Sequence, residues 1–218
     1  FFSGTSHAAG KYSPDDPSPG YWDSIIGPGK TIDTNEYYVI SSDTLVNLNT
    51  GNPNVTTTRP ATIDPETGEP YGMDFPIVTI ADFVNVQRAL LEELGVTKLQ
   101  AVMGASMGAL QAYEWAASHP DMVERVIAVI GTGYADAFLI GWLDVWAAPI
   151  RLDPKWNGGD YDPDDPPIEG LTEALKIVTL HANHWKFVDA TYEREPAEPA
   201  NEPAAMMDNP FAEEPWLA

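Results

Sequence analysis

The chain of 218 residues contains no cysteine. That excludes a disulfide framework, thiolate metal sites and thiol catalysis. It leaves the redox compartment open, because a cysteine-free chain suits either environment. Basic residues are scarce: 11 Lys and Arg stand against 33 Asp and Glu, a formal net charge of −22. A nucleic-acid surface needs clustered cations against phosphate, and these few are scattered. No apolar run nears the ~18 residues needed to cross a bilayer. The first residue is Phe1 rather than Met, and no charged-then-apolar leader follows it. That start fits a processed product or an incomplete chain.

What is present is enough for a core. Apolar residues make up 44% of the chain and aromatics 11%, which argues against global disorder. The acid is not confined to a tail. Residues 1–130 hold 16 acids and 6 bases, and residues 131–218 hold 17 and 5. The whole surface is therefore expected to be anionic, as in a salt-adapted protein. Such a field repels anionic ligands at low salt and is screened within ~10 Å at 0.1 M.

Residues 1–35 read as loop, punctuated by Pro and Gly. Residues 37–41 (YYVIS) read as a short buried strand, and 43–76 as a long loop. The pattern then sharpens. Apolar spacings of three and four predict a helix over 80–94, with Thr79 at its start and Gly95 at its stop. A strand is predicted over 99–103, a helix over 107–118 and a strand over 125–130. Strands separated by helices imply parallel pairing and right-handed crossovers, an open α/β sheet. Ligands of such sheets sit beyond the carboxyl ends of the strands. Residues 135–148 and 171–188 read as helical, 149–167 as a polar loop, and the Pro- and Glu-rich stretch from 193 as an extended arm.

Gly104-Ala105-Ser106-Met107-Gly108 fits G-x-S-x-G, directly after a predicted strand and before a predicted helix. A strand turning sharply into a helix holds the serine in a strained conformation, so its neighbours must be small. Gly104, Ala105 and Gly108 are small. Ser106 is the candidate nucleophile, and the Met107 N–H a candidate oxyanion donor aided by the helix N-terminus. The competing reading is a tight turn whose serine caps the helix. A base is needed too. His119 is one crossover helix away, about 18 Å at 1.5 Å per residue, and is expected at the surface. His181 and His184 share a helix face. They read as a base, as metal ligands with Asp189, or simply as partly exposed helix residues. His7 precedes the serine, against the usual chain order.

FSGTSHAAG (2–10), GPGKTIDTNEYYVISSD (27–43), the run from PETGEP to ELGV (65–96) and GASMGALQAYEWAASHPDMVERV (104–126) resemble the homoserine O-acetyltransferase family. So do DPKWNGGDY (153–161) and PPIEGL (166–171). The family lies in the α/β-hydrolase superfamily. The resemblance implies a mostly parallel sheet with flanking helices, core over 1–149, and a helical lid beginning in 150–218. It implies that Ser106 takes an acetyl group from acetyl-CoA and passes it to an alcohol through an acyl-enzyme, a step of methionine biosynthesis. Phe2 would give the second oxyanion N–H. No cofactor or metal is implied; the partners are the two small substrates, and the enzyme would be a cytoplasmic homodimer formed through the lid.

Four departures accompany it. The family's strands before the opening motif have no counterpart here. Neither do its triad Asp and His, so the chain is expected to be incomplete at both ends. Its Gly-rich loop is replaced by residues 45–61, and Leu175, with Lys176 beside it, stands where an Arg is expected. Two alternatives follow: an esterase of the same fold, or a non-catalytic fragment whose acid and base come from a partner chain.

Overall fold

The computed structural model describes residues 3–192. Contacts divide the chain into two compact units, Phe1–Tyr134 and Ala135–Ala218. The boundary expected at 149/150 falls inside a helix.

In the first unit, helix α1 (Ile80–Glu93) starts at a reciprocal cap. Thr79 accepts the Asp82 N–H, while the Asp82 carboxylate accepts the Thr79 N–H and hydroxyl, both at 2.7 Å. These bonds, the hydroxyl first, hold the Asp82 carboxyl below its usual pKa. The helix stops where Gly95 turns to φ 71° and Val96 N–H reaches back to the Leu91 carbonyl at 2.8 Å. Strand β1 (Val102–Ala105), helix α2 (Met107–Ser118) and strand β2 (Val126–Val129) form one parallel crossover unit. Val102 pairs with Val126 and Ala105 with Val129.

The core lies where α1 and α2 meet the sheet. Val84, Leu91 and Trp115 are buried, with Ile40, Val96, Leu99 and Met122 packed around them. Each such aliphatic side chain contributes about 1.5–3 kcal/mol. Ala109 and Ala112 are fully buried, so α2 approaches the strands closely. A polar relay crosses this core. Trp115 Nε1–H donates to Gln87 Oε1 (2.8 Å), and Gln87 Nε2–H to Gln111 Oε1 (2.7 Å).

The strand expected at 37–41 is not formed; these residues join no sheet. A strand needs a partner, and Ile40 to Ser42 face Ala101 to Met103 across a cavity of about 200 Å³ rather than across hydrogen bonds. The other two strands lie within a few residues of expectation. β2 leaves Ile127 and Val129 exposed on one side.

The second unit pairs helix α3 (Ala137–Leu152) with α4 (Ile168–Ala182), followed by α5 (Trp185–Tyr192). α3 runs through Pro149, past its expected end at 148, although the proline has no N–H to bond the carbonyl four residues back. Asp153 ties the α3 end to the start of α4. Its carboxylate accepts the Lys155 and Gly170 N–H groups, both at 2.9 Å. The Gly170 bond leads in holding the Asp153 carboxyl below its usual range. The single helix expected over 171–188 is broken at extended Asn183, whose amide bonds the Thr179 carbonyl at 2.8 Å. The segment from 193 lies outside the described residues.

Candidate active site

β1 ends at Ala105 and α2 begins at Met107, so Ser106 alone makes the turn. Its backbone sits at φ 54°, ψ −121°, a conformation L-residues avoid. Two contacts impose it. The Ser106 N–H is fixed to the Val129 carbonyl of β2 at 3.0 Å, and the Ser106 carbonyl starts α2 by accepting the Ala109 N–H at 2.9 Å. The flanking glycines are required by space. A Cβ on Gly104 would lie 2.8 Å from Gly108 Cα and nearer still to its carbonyl. One on Gly131 would collide with the Ala109 side chain and reach the Ser106 carbonyl at 3.1 Å.

The Ser106 side chain makes no capping bond to the helix, which removes the reading of Ser106 as a mere N-cap. Ser106 is half-buried at the positive end of a 12-residue helix. The first N–H groups of such a helix have no intrahelical partner. The site therefore offers a hydroxyl nucleophile beside oriented donors. Met107 takes its expected place as the first helical residue. Phe2 lies outside the described residues.

The histidines make their contacts with other groups. His7 Nε2 is 2.8 Å from the Gly10 carbonyl, and its ring lies against Tyr12. His119 is half-buried rather than at the surface, because its ring packs on Trp115; Nε2 has no partner among the described residues. His181 stacks on Trp142 at 4.0 Å and meets the edge of Trp146. His184 Nδ1 accepts the Lys186 N–H at 3.2 Å, beyond the helix break. Among the described residues no three His, Asp or Glu side chains gather as metal ligands, so the His181, His184 and Asp189 set does not form. Leu175 is exposed, and Lys176 pairs with Glu173 at 3.1 Å along the same helix.

Sequence reasoning missed a second group. Asp43, Asn47 and Asn49 bind the backbone of Ser3, Gly4 and Ser6. The only local signal was a run of amide residues in a loop.

Residues 35–214 match the family described as the alpha/beta hydrolase fold. The homoserine O-acetyltransferase of Solidesulfovibrio magneticus is 47% identical over 175 residues, which cover 80% of this chain and 43% of that protein. The crystal structure of esterase E22 is 52% identical with a TM-score of 0.90, covering 100% of this chain and 59% of that one. That of homoserine O-acetyltransferase from Bacillus anthracis is 41% identical with a TM-score of 0.90, covering 100% and 58%. The chain spans less than half the length of the curated relatives it matches.

Proposed function

The chain belongs to the alpha/beta hydrolase fold family, and from that premise we propose that it carries the nucleophile of a serine acyltransferase that moves an acetyl group from acetyl-CoA to homoserine. The observation that carries this is the strained turn at Ser106, which leaves an uncapped hydroxyl at the start of α2.

The chemistry follows from that position. Ser106 Oγ attacks the thioester carbonyl carbon, and its proton passes to a general base. Negative charge gathers on the former carbonyl oxygen, where the Met107 N–H and the helix dipole stabilise it. Phe2 supplies the second N–H. Collapse expels the CoA thiol and leaves an acetyl ester on Ser106. The acceptor hydroxyl then attacks that ester through a second oxyanion and restores the serine. The base and its carboxylate are contributed from outside the histidines described above. No cofactor takes part; acetyl-CoA is consumed as a substrate. The working form is a cytoplasmic homodimer. Exposed Phe138, Leu143 and Leu152 on α3 and Trp185 on α5 give it apolar surface to bury.

The second reading is ester hydrolysis with water as acceptor. It is favoured by the 52% identity to esterase E22 over the whole chain. The two readings share the acyl-enzyme and differ only in what attacks it. Incubation with acetyl-CoA, with and without homoserine, separates them by product. O-acetylhomoserine supports the transferase. Acetate alone, with homoserine untouched, refutes it.

A further inference from the structure

We propose that Gly131 is a positioning residue for the oxyanion donor, because its bare Cα lets the chain after β2 close on the peptide between Ser106 and Met107. This rests on the reading of Ser106 as nucleophile and of the Met107 N–H as donor.

A peptide unit is a rigid trans plane, so its N–H points opposite to its carbonyl. The Met107 N–H is therefore aimed by whatever holds the Ser106 carbonyl. Within α2 that carbonyl accepts the Ala109 N–H at 2.9 Å and, more weakly, the Leu110 N–H at 3.4 Å. Gly131 closes on it from outside the helix. A Cβ on Gly131 would lie 3.1 Å from the Ser106 carbonyl oxygen and 3.5 Å from Ala109 Cα, and would strike the Ala109 methyl. Ala109 is fully buried and belongs to the same turn, so it cannot step aside without moving that turn.

Two observations separate this approach from ordinary packing. Backbone conformation does not call for glycine at 131; the positive φ falls one residue earlier, on Ile130, at 47°. For a β-branched residue that region is an outlier, and at 84% exposure Ile130 gains little from burial there. The residues on either side of it explain the strain. The Val129 carbonyl accepts the Ser106 N–H at 3.0 Å, and Gly131 lies against the Ser106 carbonyl. Each holds one of the two peptides that flank the nucleophile, and Ile130 takes up the bend between them. Strain of this kind persists where the surroundings over-determine it, and clusters at working sites.

The chemical consequence is orientation. An oxyanion donor works because it is aimed before charge develops. A methyl at 131 would push the Ser106–Met107 plane away from the end of β2 and turn its N–H. The reaction step would slow while substrate capture stayed the same.

The test uses the whole chain and a fluorophosphonate probe, which loses fluoride as it bonds to an activated serine. Labelling of Ser106 is followed by intact mass, and hydrogen exchange is read at single amides of α2. Gly131→Ala should lower the saturating labelling rate about 100-fold, the loss that follows a misplacement of about 1 Å, and leave the half-saturating probe concentration unchanged. Exchange should rise at the Ala109 and Leu110 amides and stay slow from Gln111 to Ser118. Ala109→Gly removes the methyl that Gly131→Ala would strike. The double variant keeps only the 3.1 Å contact with the Ser106 carbonyl. It should label more slowly than Ala109→Gly, by less than the single substitution costs the parent. Should Gly131→Ala alone fail to fold, the double variant and Ala109→Gly supply the comparison. A double variant labelled as fast as Ala109→Gly overturns the positioning role, and so does a Gly131→Ala chain with loosened amides and the parent rate. Unchanged exchange overturns the contact itself. A parent chain labelled no faster than Ser106→Ala overturns the functional reading, and this assignment with it.

Discussion

Replacing Gly104 by Ala tests the geometry on which the site depends. The added methyl would lie 2.8 Å from Gly108 Cα, with the Gly108 carbonyl closer still. Carbon atoms rest about 3.5–4.0 Å apart. The start of α2 must therefore move from β1 by about 0.7 Å or more, and backbone faces backbone, so no flexible side chain can yield. Overpacking of this kind costs about 1–3 kcal/mol. With a urea m-value of about 2 kcal/mol/M, the unfolding midpoint should fall by about 0.5–1.5 M. The same shift carries Ser106 and the Met107 N–H out of register, and a displacement near 1 Å lowers reactivity about 100-fold. Gly141→Ala is the control. It lies inside α3, and its Cβ would meet nothing within 4 Å. It should stabilise by about 0.5–1 kcal/mol, the helix preference for Ala over Gly. Urea melts of both variants, with Ser106 labelling rates, decide the matter. A Gly104→Ala chain within 0.5 kcal/mol of the parent and labelled at the parent rate would refute the close-packed elbow.

Ser106→Gly should abolish labelling yet raise stability by about 1 kcal/mol, because glycine relieves the positive φ; a destabilised variant in thermal melts would show that the turn is not strained. Gln87→Leu leaves Trp115 Nε1 and Gln111 Oε1 without their shared partner, so each orphaned group should cost about 1–3 kcal/mol by urea titration. A cost below 0.5 kcal/mol would mean that water replaces the relay. Asp153 has its carboxyl pKa lowered in the fold, so its contribution is present above the unfolded carboxylate range near 4 and is lost as pH falls through the lowered value. Asp153→Asn should therefore flatten the acid limb of stability, followed by tryptophan fluorescence; an unchanged limb would sever the link between that carboxylate and the Gly170 N–H.

The parts legible in the sequence are those whose cause is local. The helix over 80–93 announces itself by Thr79 and Asp82 three residues apart and by Gly95, all within one cap of its ends. The elbow is similar, since the need for a small residue at 104, where a Cβ would strike the Gly108 backbone, comes from a turn of five residues. Residues 37–41 fail for the opposite reason. YYVIS has the composition of a strand, but a strand exists only with a neighbour, and β1 lies across a cavity from it. The break at Asn183 also escaped, because an amide that bonds the helix carbonyl four residues back looks, in sequence, like any polar position.

The candidate site divides along the same line. A nucleophile is a local object: one serine, its two glycines and the helix that follows. Contacts between distant segments are not. Asn47 reaches Gly4 across 43 positions and Asp43 reaches Ser6 across 37. No periodicity or spacing rule connects residues that far apart, and amides in a loop ordinarily face water. Burial changes what they are for. At 3% exposure the Asn47 amide has lost its water, so its bonds to Gly4 and Asn49 replace solvent with a fixed direction.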